Sequence, residues 1–283
     1  MTNRAVRLLR WALGLATAVS AAASGPSGVA QGEPAKHAPT ATTVSAVSDG
    51  RLVVHLIVPL CDNDQIDCGS TRAGDPTDLE HNLYWGAVFG QKRFFGRKAS
   101  TYTKVSTEGA DGDRLERVTF EKKVAGKPWG IAGDVDLFVV MDAYRGDAID
   151  RALAAFYREA ERGGSLGPGR VDLVGWAGHN RMMDGTKPPA LANAEERSPI
   201  PSFVLACRSR SYFEGPLTER GSTPIALTRD LMAPEGYVVD AVVDGFAANE
   251  SRAAVRKRAV TAYAKFQRIE EKAAGSIFAK LDD

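Results

Sequence analysis

Cysteine, net charge and long apolar runs are all scarce in this chain of 283 residues, and each scarcity narrows what it can be. Its three cysteines are Cys61, Cys68 and Cys207, and none closely follows the amino-terminal apolar run, which excludes a lipoprotein. The formal charge is +1, so bulk electrostatics indicate neither a nucleic-acid nor a membrane-surface partner. No stretch reaches the roughly 20 apolar residues that a spanning helix needs. No internal repeat is visible, and no cofactor or metal ion is expected. Between residues 24 and 49 bulky apolar side chains are almost missing, leaving Ala, Pro, Thr, Ser and Gly, a composition that cannot offset the entropy of ordering.

At the amino terminus Arg4, Arg7 and Arg10 precede the apolar run from Trp11 to Val19, and small residues through Ala23 follow. A charged region, a short apolar region and a small-residue cleavage signal make a secretory signal peptide over 1–23. An uncleaved anchor is the alternative, but the run is short and ends in Ser24-Gly25-Pro26. Residues 24–49 are expected to be a disordered leader, and 50–283 one α/β domain with a sizeable core. Export to the periplasm or the extracellular space follows, with no stable membrane span once the signal is gone.

Apolar runs and helical periodicity alternate through the remaining chain. Leu52 to Val58, Val135 to Met141, Val171 to Trp176, Ser202 to Ala206 and Pro224 to Thr228 have the composition of buried strands. A hairpin is expected within 101–124. Asn82 is placed to cap a helix over 83–95, Asp147 to cap another carrying Ile149, Leu153, Phe156 and Tyr157, and Pro234 to open a third. Residues 251–280 have the pattern of one charged amphipathic helix. Strands separated by helices in this way predict a mostly parallel sheet covered on both faces.

In such a sheet chemistry gathers outside the carboxyl ends of the strands. The strand ending at Trp176 leads through Ala177-Gly178 to His179, and the strand ending at Ala206 leads straight to Cys207. If these strands are neighbours, the two residues form a candidate dyad: a thiolate nucleophile with an imidazole to manage its proton. Each also has a plainer role, His179 as a hydrogen-bonded strand-end residue and Cys207 as a small buried one. Asp142 and Asp184 follow strand ends and are candidates to orient His179 or to bind substrate; turns use Asp there as well. Cys61 and Cys68 bracket an acidic loop, and in an oxidising compartment a local disulfide is the expected pairing. Asp62, Asn63, Asp64 and Asp67 leave a calcium loop open as an alternative, although the Gly and distal Glu of an EF-hand are missing.

This order of elements resembles the caspase-like cysteine peptidases, the family of gingipains, legumains, clostripain and separases. There a His closes one parallel strand and the nucleophilic Cys closes the next, as VDLVGWAGHN and PSFVLAC do here. The resemblance covers roughly residues 51 to 250 at the level of topology. It implies a three-layer α/β sandwich, and a cysteine endopeptidase in which Cys207 attacks and His179 moves the proton. It also implies that the loop in PIALTRDLMAPEGYVVDAVVDGFA lines the substrate cleft. In the family the end of the first strand shapes the pocket for the residue before the scissile bond, so Asp62 or Asp64 would favour Lys or Arg. Two features depart from the family pattern: Asn180 stands where a Gly usually follows the His, and Arg208 and Arg210 follow Cys207. The function expected is cleavage of peptide or protein substrates, and the alternative is a non-catalytic exported binding or scaffold domain of the same fold.

Overall fold

The structure, a computed structural model, describes residues 50–281. The expected signal at 1–23 and leader at 24–49 lie outside the described residues. In chain order the elements are β1 (Arg51–Pro59), α1 (Gln91–Phe95), β2 (Thr103–Glu108), β3 (Arg114–Ala125), β4 (Asp134–Tyr144), α2 (Ile149–Arg162) and the two-residue strands β5 (Ser165–Leu166) and β6 (Gly169–Arg170). Then come β7 (Leu173–Ala177), β8 (Ser202–Leu205), α3 (Ser209–Glu219), β9 (Pro224–Ala226), α4 (Gly236–Ala247), α5 (Arg252–Gln267) and α6 (Glu271–Ile277).

Seven strands form one sheet in the order β2-β3-β4-β1-β7-β8-β9, and β5 pairs with β6 apart from it. From β4 to β9 every neighbour is parallel, while β2 and β3 extend the β4 edge as an antiparallel hairpin. The chain leaves β1 toward one edge of the sheet and, after β7, proceeds toward the other. The position between the ends of β1 and β7 is therefore a topological switch point, where open α/β sheets place their ligands.

Burial on both faces explains why β1 reads as an unbroken apolar run. Leu52, Val54, Leu56 and Val58 point into one core with α1, α4, α5 and α6. Val53 and Ile57 point into the other with α2 and α3. Helix α2 presents Ile149, Ala152, Leu153, Phe156, Tyr157 and Ala160 to that second core, the spacing of one helical face. Helix α4 carries Tyr237, Val238, Val239, Val242, Val243 and Phe246 into the first.

Several helices differ from expectation: Ala148 and not Asp147 stands at the N-cap of α2, α3 occupies a stretch where no helix was expected, and α4 opens at Gly236 behind Glu235 and not at Pro234. The helix expected over 83–95 is reduced to α1, with turns before it. Asn82 does not cap it: its side chain accepts from the Cys61 N–H at 2.9 Å and donates to the Cys61 and Asp75 carbonyls, both at 2.8 Å. Tertiary hydrogen bonds thus hold the residue that local pattern assigned to a helix start. The charged carboxyl-terminal stretch folds as α5 and α6 instead of one helix, because Arg268 takes a left-handed conformation with φ of 54° and turns the chain.

Gly175 sits in the middle of β7, where an added Cβ would lie 2.1 Å from the Phe203 ring on β8. Both residues are fully buried, so the ring has no free space to move into. Gly175→Ala is expected to destabilise the fold by about 1–3 kcal/mol, the cost of overpacking a filled core. Urea unfolding checks this: the midpoint should fall with an unchanged slope, and a wild-type midpoint would contradict the packing described.

Candidate functional site

The ladder between β7 and β8 ends with Ala177 opposite Leu205. His179 and Cys207 each stand two residues beyond a strand end, and the register brings those two ends level at the carboxyl edge. Asn180, fully buried, links the two ends by donating its Nδ2 to the Cys207 carbonyl at 2.7 Å, while its Oδ1 accepts from the Met182 N–H. Gly178 lets the end of β7 approach the end of β1, because a Cβ there would lie 2.8 Å from the Pro59 ring.

His179 is held by a carboxylate from the turn that follows it. Its Nε2 meets an Asp184 carboxylate oxygen at 2.6 Å, and Arg181 joins the same oxygen at 3.1 Å. These partners and the His179 ring keep the Asp184 carboxyl below its ordinary range against the opposing effect of burial. The partner of His179 is thus Asp184; Asp142 lies on β4, two strands from β7.

Cys207 is half-buried and is the free cysteine among the described residues. Its sulfur lies 3.5 Å from the Met232 N–H nitrogen and 3.6 Å from the Met232 carbonyl oxygen. Among the described residues no hydrogen bond joins it to His179. The turn around it is rigidly tied. Thr228 Oγ1 donates to the Ala206 carbonyl, Arg208 N–H donates to the Asp230 carbonyl at 3.0 Å, and Ser209 Oγ donates to the Val204 carbonyl at 2.9 Å. Arg208 takes the left-handed conformation with φ of 50°, and α3 starts immediately after it. The amino-terminal end of α3 therefore follows the thiol by two residues. Tyr84 and Tyr263 belong to the core on the α5 face of the sheet, where burial raises the pKa of each phenol.

Across the switch point, the loop after β1 is closed by a Cys61–Cys68 disulfide. Asp62 is buried inside this loop, and its two oxygens accept from the Asp64 N–H and the Gln65 amide. Asp64 is exposed. Among the described residues no group of three His, Cys, Asp or Glu side chains is arranged to hold a metal ion.

A second polar cluster lies on the opposite face of the sheet, in the middle of β1. His55 interrupts the apolar row with Val53 and Ile57, and its ring is held between two carboxylates, Asp142 at 3.0 Å from Nε2 and Glu159 of α2 on Nδ1. Arg117 of β3 grips Asp142 with two bonds of 2.6 Å. The group lines a cavity of about 320 Å³ with Tyr144, Arg158 and Arg162. Burial disfavours the imidazolium, but Glu159 and Asp142 outweigh it and raise the His55 pKa to about 9. Burial likewise opposes the Asp142 carboxylate, yet Arg117 and His55 bring its pKa down to about 2. Periodicity did not single out His55; the available signal was a lone ionisable residue inside a run otherwise suited to a fully buried strand.

No family model, no curated protein and no solved structure matches this chain.

The His55 cluster makes stability depend on pH in two windows. The folded pKa of His55 lies above its ordinary 6.5, so its contribution is complete below about 6.5 and is lost as pH rises through about 9. For Asp142 the folded pKa lies below 3.8, so its contribution is present above that value and is lost as pH falls through about 2. Urea midpoints measured across these ranges should be flat in between and fall on both sides. His55→Gln should lower the midpoint near neutrality and remove the alkaline decline; an unchanged alkaline decline would show that another group causes it.

Proposed function

We propose that the chain is an exported caspase-like cysteine endopeptidase, with Cys207 as nucleophile, His179 as the proton-transfer group and Asp184 as the residue that orients the imidazole. The observation that carries this reading is the parallel register of β7 and β8, which brings the strand ends leading to His179 and Cys207 level at the carboxyl edge beside the switch point. The disulfide after β1 favours an oxidising compartment, which supports export.

In the reaction, His179 accepts the Cys207 proton and the thiolate attacks the scissile carbonyl. The Cys207 N–H, which donates to no group among the described residues, is available to the oxyanion of the tetrahedral intermediate. His179 then protonates the leaving amine, and water attacks the thioester to release the acid and regenerate the thiol. Asp184 stabilises the imidazolium formed midway, the role of a carboxylate behind a catalytic His. Asp64 is an exposed loop carboxylate suited to a Lys or Arg side chain before the scissile bond. Asp62 already has both oxygens engaged in its own loop.

One observation favours a second reading, a non-catalytic binding domain of the same fold. The Cys207 sulfur is engaged by the Met232 main chain and not by His179. Labelling with a peptide-derived electrophile separates the two. The peptidase reading expects labelling that Cys207→Ala abolishes and His179→Ala slows by about 10²–10⁴-fold, the usual contribution of a general base. Asp184→Asn should slow it less. Labelling that persists in Cys207→Ala, or proceeds at an undiminished rate in His179→Ala, would leave the binding domain as the better account.

A further inference from the structure

A concentration of cationic side chains lies away from the dyad, around α1. The segment QKRFFGRK over 91–98 supplies Lys92, Arg93, Arg97 and Lys98, and the adjacent edge strand β2 supplies Lys104. All five line one cavity of about 630 Å³ whose apolar side is formed by Leu79 and Phe120, and Glu80 is its one carboxylate. Two of the cations are committed. Lys92 binds Glu116, which also accepts from the Trp85 indole, and Arg97 lies over the Phe94 ring and donates to the Phe94 carbonyl. Arg93, Lys98 and Lys104 are exposed, and among the described residues none of the three has an ion-pair partner. With Glu80 as the one carboxylate beside them, these like charges repel one another, and an anionic ligand would relieve that repulsion.

The edge of the sheet indicates which kind of anion. Strand β2 is the outermost strand on its side, so its outer N–H and C=O groups are open to a further strand. An extended peptide can pair with those groups, as in strand addition, while polysaccharides and polynucleotides lack the matching backbone. We propose that this groove binds an acidic peptide segment, its Asp and Glu side chains meeting Arg93, Lys98 and Lys104 and its apolar side chains resting on Phe120 and Leu79. The site stands independently of whether Cys207 is a nucleophile.

Fluorescence anisotropy with a labelled oligoglutamate peptide tests the proposal on the full chain. Saturable binding is expected at low salt, weakening as ionic strength rises from about 0.01 to about 0.15 M and the Debye length shrinks from roughly 30 to about 8 Å. Arg93→Ser/Lys98→Ser/Lys104→Ser should bind roughly tenfold or more weakly, as expected when complementary charges are removed. All three side chains are exposed, so its melting curve should match that of the wild type. A control of equal charge change, Lys187→Ser/Lys272→Ser/Lys280→Ser, also exposed, should retain wild-type affinity. Equal weakening in both variants would reduce the effect to net charge and overturn the site. So would the absence of saturable binding, or binding of a heparin oligosaccharide where the peptide fails to bind.

Discussion

Parallel pairing with both faces covered is the constraint on which the rest of this structure depends. A strand buried on two sides has no room for polar side chains along its length, so polar chemistry is displaced to strand ends and to sites where every charge has a partner. The β4-β1-β7-β8 ladder obeys this closely. Its tightest contacts use glycine: Gly175 against the Phe203 ring, and Gly178 against Pro59 where β7 meets β1. These close approaches hold β7 against its two neighbours, β8 and β1. The disulfide closes the loop after β1, and Asn82 ties it down by accepting from the Cys61 N–H and donating to the Cys61 carbonyl.

His55 is the exception that shows what the constraint demands. An imidazolium within a buried strand is tolerated because Asp142 and Glu159 flank it and Arg117 neutralises the surplus carboxylate. Removing any one member would leave an unpaired buried charge, the costly case for such networks. The cluster ties β1, β3, β4 and α2 together on the face opposite to Cys207. Two polar centres therefore occupy different parts of one sheet. At the strand-end centre the Cys207 N–H has no partner among the described residues, whereas the carboxylates, imidazole and guanidinium of the mid-strand centre satisfy one another.

Much of the fold was legible in the chain because its signals are local. The apolar runs of β1, β4, β7, β8 and β9 mark strands, and the face of α2 repeats at helical spacing. A mostly parallel sheet follows from their alternation. Less legible were the segments whose conformation is set by distant partners. Asn82 has the appearance of a helix cap, but its amide is used by Cys61 across the switch point, and the expected helix shrinks to α1. The role of Asp142 was equally hidden, since Arg117 and His55 reach it from neighbouring strands.

The amino-acid order by itself determined that His179 and Cys207 follow buried strands, that Cys61 and Cys68 lie close enough in the chain to pair, and that a basic run surrounds Phe94 and Phe95. These are matters of short-range spacing. Only the tertiary structure decided that β7 and β8 are neighbours in a register that levels the two strand ends, and that Asp184 and not Asp142 holds His179. It also decided that β2 brings Lys104 to the basic run. The reason is physical: register and strand order arise from the packing of whole faces against one another, and that packing joins residues far apart in the chain.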